Sequence, residues 1–148
     1  MAERGSVVYA LWPLRLGLAL VFIVEGWGKL ADLGATRELM VYFGIPLPAV
    51  AGFLVAVAEA FGGLGILLGV LPRFSAAVLA VVMAVAILVA RIPGPFFDGW
   101  AFDAVLLAGC LTVVLNGAGR PTLASVVREW RTDRRAALPT AAWADAEP

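Results

Sequence analysis

Residues 49–71 read AVAGFLVAVAEAFGGLGILLGVL, twenty-three positions whose only charge is Glu59. About 20 mostly apolar residues suffice for an α-helix to cross the hydrocarbon core of a bilayer. A membrane β-strand would be about 10 residues long and would alternate strictly; this run is longer and does not alternate. Three further runs flank it. One extends from about Val8 to Leu30 and carries Arg15, Glu25 and Lys29. Another extends from Ser75 to about Ile92 and is uncharged until Arg91. The last extends from about Trp100 to Leu115, with Asp103 as its charge. The sequence therefore predicts an all-α integral membrane protein, a four-transmembrane-helix bundle within residues 1–119.

Composition agrees. Of 148 residues, 62% are hydrophobic and 15% charged, with a mean hydropathy of +0.95. Soluble domains lie nearer ~45–50% apolar and about 25% charged. The formal net charge is zero, which offers nucleic acid no attraction. There is no histidine and one cysteine, Cys110. The commonest metal and haem ligand is thus missing, and no intrachain disulfide can form. Neither haem nor metal is expected, and redox chemistry has to use an organic cofactor, a partner's centre or Cys110 alone. The first apolar run holds Arg15 and has no small-x-small cleavage site after it, so it reads as a retained helix.

Proline and glycine mark the breaks. Pro46 and Pro48 precede the second helix and Pro72 closes it beside Arg73. Pro93, Gly94, Pro95 and Gly99 form the third connection, and Asn116, Gly117, Gly119 and Pro121 end the fourth helix. Between Asp32 and Gly44, Leu39, Met40, Tyr42 and Phe43 suggest a short interfacial helix. Beyond residue 119, Leu123, Val126, Val127 and Trp130 follow helical spacing with Arg128, Arg131, Arg134 and Arg135 on other faces. Residues 120–148 are expected to form a basic amphipathic surface helix and a disordered tail. Four crossings put Arg4, Arg73, Arg120 and those four arginines on one side, against Lys29, Arg37 and Arg91 on the other. The positive-inside rule then places both termini in the cytoplasm of a multi-pass plasma-membrane protein.

Charges inside the apolar runs are the candidate functional groups. Each costs about 2.5–3.5 kcal/mol to insert at a helix centre and is expected to face the bundle interior. At a rise of about 1.5 Å per residue, Glu59 lies near mid-membrane and Arg15 at a depth from which its side chain could reach, so an Arg15–Glu59 contact is expected. Glu25 and Lys29 are spaced i, i+4 with the acid first. With Arg91 and Asp103 they form either a polar ring at the outer mouth or ion pairs that fix register. A carboxylate as deep as Glu59 is a candidate proton donor or acceptor for a polar headgroup such as a quinone's. Gly62 and Gly63 have two readings: close helix packing, or room for a flat ligand ring beside Glu59.

Several stretches in order resemble the DoxX family: Leu14-Arg15-Leu16-Gly17-Leu18 with Phe22, Glu25-Gly26-Trp27-Gly28-Lys29-Leu30, Phe43-Gly44-Ile45-Pro46, Glu59-Ala60-Phe61-Gly62-Gly63 and Leu71-Pro72-Arg73-Phe74-Ser75-Ala76. The resemblance covers about Leu14 to Gly119. It implies a four-helix membrane bundle and a link to redox chemistry, either as the membrane subunit of a thiosulfate:quinone oxidoreductase or in complexes with a superoxide dismutase and a thiosulfate sulfurtransferase. Several family members hold a histidine near the Glu25 position or at the end of helix three, where this chain has Glu25 and Arg91.

The leading expectation is a membrane subunit of an oxidoreductase system in thiol or oxidative-stress chemistry. Glu59 and Arg15 would be its catalytic pair. Glu25, Lys29, Gly62, Gly63, Asp103 and Arg91 would surround a quinone, and the basic tail would dock a soluble redox enzyme on the cytoplasmic side. The alternatives are a non-catalytic scaffold for such enzymes, and a small transporter acting as a homo-oligomer, which would need a polar route through the bundle.

Overall fold

The computed structural model describes residues 11–91 and 94–117, together with 119 and 122. The regular elements among them are helical: α1 (Trp12–Ala31), α2 (Leu33–Tyr42), α3 (Pro48–Leu68), α4 (Pro72–Val85) and α5 (Ala101–Asn116). α4 runs on into a π-helical turn, Ala86–Arg91, and a second π-helical turn, Phe96–Trp100, leads into α5.

Sequence chemistry accounts for the boundaries. Proline opens α1, α3 and α4, where its missing N–H is not needed and its fixed φ suits the first turn. The residue before a proline avoids the right-handed helical region. Leu47 and Leu71 instead take left-handed conformations, with φ of 50° and 45°, and turn the chain sharply into α3 and α4. α3 stops at Gly69, whose φ of 68° suits a residue without Cβ. Its N–H bonds to Ile66 O and that of Val70 to Gly65 O, the Schellman pattern. The segment between Asp32 and Gly44 does carry a short helix, α2. Asp32 caps it by accepting from Ala35 N–H at 2.9 Å.

The long helices form a bundle in which α1 lies on α3, α3 on α4, α4 on α5 and α5 back on α1, with α2 folded against α3. Small residues set the distances. A Cβ on Gly26 of α1 would lie 2.2 Å from Ala60 N and 2.9 Å from Ala56 O, so α1 and α3 touch backbone to backbone. Such contacts bring helices together where the solvent is itself apolar. The interior is filled by Leu18, Phe22, Ile66, Leu79, Cys110 and Val113. The outer surface is apolar as well: Leu20, Phe61, Phe74, Leu88, Val105 and Leu115 are exposed. Helices apolar on both faces suit a nonaqueous surround.

Among the described residues, two of the four expected spans are long and apolar enough by length and composition to cross a membrane. They are Pro48–Leu68, with mean hydropathy 2.0, and Pro72–Val89, with 2.2. α1 falls short because it carries Arg15, Glu25 and Lys29, and α5 because it is 16 residues long. The expected basic helix and tail lie outside the described residues, as do the first ten positions.

Candidate functional site

The backbone contact at Gly26 places the charges. Lys29 lies one turn beyond Gly26 on α1, and Glu59 immediately precedes Ala60 on α3. Lys29 Nζ therefore reaches across and donates to Glu59 Oε2. The same ammonium is 3.3 Å from Glu25 Oε2. Side-chain exposure falls along this row, from 58% at Glu25 to 20% at Lys29 and 3% at Glu59. Sequence reasoning expected the Glu25–Lys29 pair and missed the Lys29–Glu59 pair.

These groups line a cavity of about 420 Å³, within the ~300–1,000 Å³ usual for small-molecule sites. Glu25, Lys29, Glu59 and Asp103 supply its charge, and Phe22, Met40, Phe43, Met83 and Phe102 are among its apolar walls. Asp103 is buried in the first turn of α5, where the helix dipole favours an acid. The π-helical turn at the end of α4 contributes Ala86 and Val89 to the wall. Interruptions of this kind are frequent at functional sites.

A second, more open hollow of about 450 Å³ is lined by Lys29 together with Glu25, Gly28, Asp32, Ala35 and Thr36 among others. Glu25, Lys29 and Leu39 border both. Thr36 fixes this corner, with its hydroxyl within hydrogen-bond reach of Lys29 O at 3.0 Å and Asp32 O at 2.9 Å.

Arg15 is elsewhere, and the expected Arg15–Glu59 contact is not made. The side chain is buried and donates from Nε and Nη2 to Ile66 O at 3.1 and 3.0 Å, and from Nη2 to Leu67 O at 2.8 Å. Its guanidinium also lies 5.7 Å from the centre of the Trp12 ring. Register is the reason. With Gly26 against Ala60, Arg15 falls level with Gly69, about 15 Å of helix from Glu59. There the last carbonyls of α3 run short of backbone donors: Ile66 O, which accepts from Gly69 N–H, takes further hydrogen bonds from the guanidinium, and so does Leu67 O. Arg73 does the same more loosely for α5, donating to Leu115 O at 3.4 Å.

The remaining candidates divide. Gly62 and Gly63 do not line the cavity. A Cβ on Gly62 would meet Leu79 Cγ at 2.9 Å and one on Gly63 would meet Ile23 Cγ1 at 2.9 Å, so their space is already filled by neighbouring helices. Arg91 ends the π-helical turn of α4, but its side chain lies outside the described residues. Cys110 is buried in the core and is not among the cavity's walls. Among the described residues, no three carboxylate, thiol or imidazole groups come together to hold a metal ion.

The sequence model of the DoxX family matches residues 10–92, a stretch that holds Glu25, Lys29 and Glu59 and stops before Asp103. "Putative oxidoreductase CatD" of Bacillus subtilis (strain 168) is 27% identical over 106 residues, 71% of this chain and 77% of that protein. "Inner membrane protein YqjF" of Escherichia coli (strain K12) is 38% identical over 65 residues, 42% of this chain and 46% of that one. No solved structure matches the chain.

Proposed function

The chain belongs to the DoxX family, and on that premise we propose that it is a four-span membrane protein serving as the membrane subunit of an oxidoreductase system, with a quinone as its lipid-soluble substrate. The observation that carries this reading is the cavity: apolar walls around a lysine–glutamate pair, Lys29 and Glu59, with Glu25 and Asp103 also on its lining. An apolar body and a polar carbonyl tip are the features of a quinone that such a site fits. The names of CatD and YqjF, an oxidoreductase and an inner membrane protein, support the same direction.

The role first expected of Arg15 passes to Lys29. The Lys29 ammonium donates a hydrogen bond to a quinone carbonyl oxygen, and Glu59 gives or takes the proton that accompanies reduction or oxidation. The quinone supplies two-electron chemistry when bound. The electrons come from a soluble redox enzyme, docked through the arginines at 128–135 on the side of the termini. The transport alternative needs a polar route, and the floor beneath the cavity is built from Leu18, Ile66, Cys110 and Val113, all buried.

Two measurements test this. Mass spectrometry of gently solubilised native membranes should recover a quinone at near-stoichiometric level together with a redox enzyme. Glu59→Gln should retain the fold and lose quinone turnover by on the order of 100-fold; turnover at the wild-type rate in that variant refutes the mechanism.

A further inference from the structure

The row Glu25, Lys29 and Glu59 does more than line the cavity. Lys29 Nζ touches both carboxylates, at 3.3 Å to Glu25 Oε2 and in the hydrogen bond to Glu59 Oε2. One carboxylate is more than half exposed and the other almost wholly buried. The two hollows meet at the Glu25–Lys29 pair, which borders both. The open hollow is on the side where α1 ends and α3 begins, opposite the Arg15 end of the bundle.

We propose that Glu25 and Lys29 are a proton relay, which carries protons between the open hollow and Glu59 and so connects the buried site to the membrane face opposite the chain termini. The inference deepens the quinone reading, on which its role in turnover rests. Lys29 Nζ gives a proton to Glu59 Oε2, breaking an N–H bond and forming an O–H bond, and leaves a neutral amine. That amine is refilled by Glu25, which has taken a proton from water in the open hollow. One proton moves inward, the ammonium is restored and Glu25 returns to its ionised form. The reverse sequence exports a proton. Both donor–acceptor gaps are already within the reach of a single lysine tip, so a rotation of that tip completes each transfer.

Among the described residues, two further carboxylates lie near this row. Asp103 faces the cavity from α5, and Asp32 borders the open hollow at the junction of α1 and α2. The described side chains that α4 presents to the cavity are apolar, Val82 and Met83 among them. Neither Asp103 nor Asp32 bridges the two hollows as Glu25 and Lys29 do.

The test uses the full chain, reconstituted in proteoliposomes of known orientation. Infrared difference spectra after a pH jump follow protonation and deuterium exchange of Glu59, with its band assigned by loss in Glu59→Gln. No quinone is needed, so the relay can fail or succeed independently of the redox reading. A jump on the Glu25 face should change the band promptly. In Glu25→Gln that response should slow by on the order of 100-fold; Glu25→Asp should recover part of it, and Glu38→Gln, an exposed α2 control, should match wild type. With a short-chain quinone present, Glu25→Gln should lower kcat, and Glu25→Asp should restore part of it. Three results overturn the relay: a Glu59 band that follows pH on the termini side, equal exchange in Glu25→Gln and wild type, or no protonation of Glu59 at any accessible pH.

Discussion

The two ends of the bundle solve the same problem with different chemistry. At one end Arg15 is buried against the C-terminus of α3 and gives its donors to backbone carbonyls. At the other end Lys29 gives its donors to two carboxylates, beside a cavity. Carbonyls at a helix end cannot take up or release a proton, so these bonds of Arg15 hold structure. Carboxylates can, so the Lys29 end can hold structure and also react. A buried charge is therefore informative through the nature of its acceptor, beyond the fact of its burial.

This contrast predicts a graded set of effects. Arg15→Met should be the most damaging to stability, by about 3 kcal/mol, because it removes charge-assisted hydrogen bonds worth roughly 1.5–3 kcal/mol each and takes from Leu67 O its guanidinium donor. Reversible unfolding in mixed detergent micelles measures it, and a loss below about 1 kcal/mol would erase the distinction between the ends. Gly26→Ala should follow at about 1–3 kcal/mol. It forces α1 from α3, separates Lys29 from Glu59, and should impair stability and quinone turnover together. An effect on stability alone would show that the close approach does not set the site. Glu59→Gln, by contrast, should cost turnover with little stability. The smallest effect belongs to Arg73→Gln, within about 0.5 kcal/mol, since its bond to Leu115 O is long and exposed. A large loss there would make the α5 end a second structural anchor equal to the first.

The helices were legible because apolar runs and prolines announce them. The 49–71 stretch became α3 within a few residues, and Pro72, read as the close of one helix, opens the next. The cluster of Glu25, Lys29, Glu59 and Asp103 was named from the sequence as a set of buried charges. Its pairing was not legible. Depth was measured along each helix from its own end, and the offset between helices was not available from that arithmetic. It is set by Gly26 against Ala56 and Ala60, small residues visible in the sequence whose mutual contact needs three dimensions to see. By residue type a buried arginine points to an anion as its partner. Arg15 instead donates to backbone carbonyls, which no side-chain pattern marks except through the glycine that ends α3.

The apolar floor beneath the cavity has an electrical meaning. For a chain seated in a bilayer, Leu18, Ile66, Cys110 and Val113 form a layer of low dielectric between the charged cluster and the far side, and an ion entering it loses hydration at a cost of several kcal/mol. Such a layer is an insulator. It lets the protein handle charge well inside the membrane without short-circuiting the voltage that the membrane maintains.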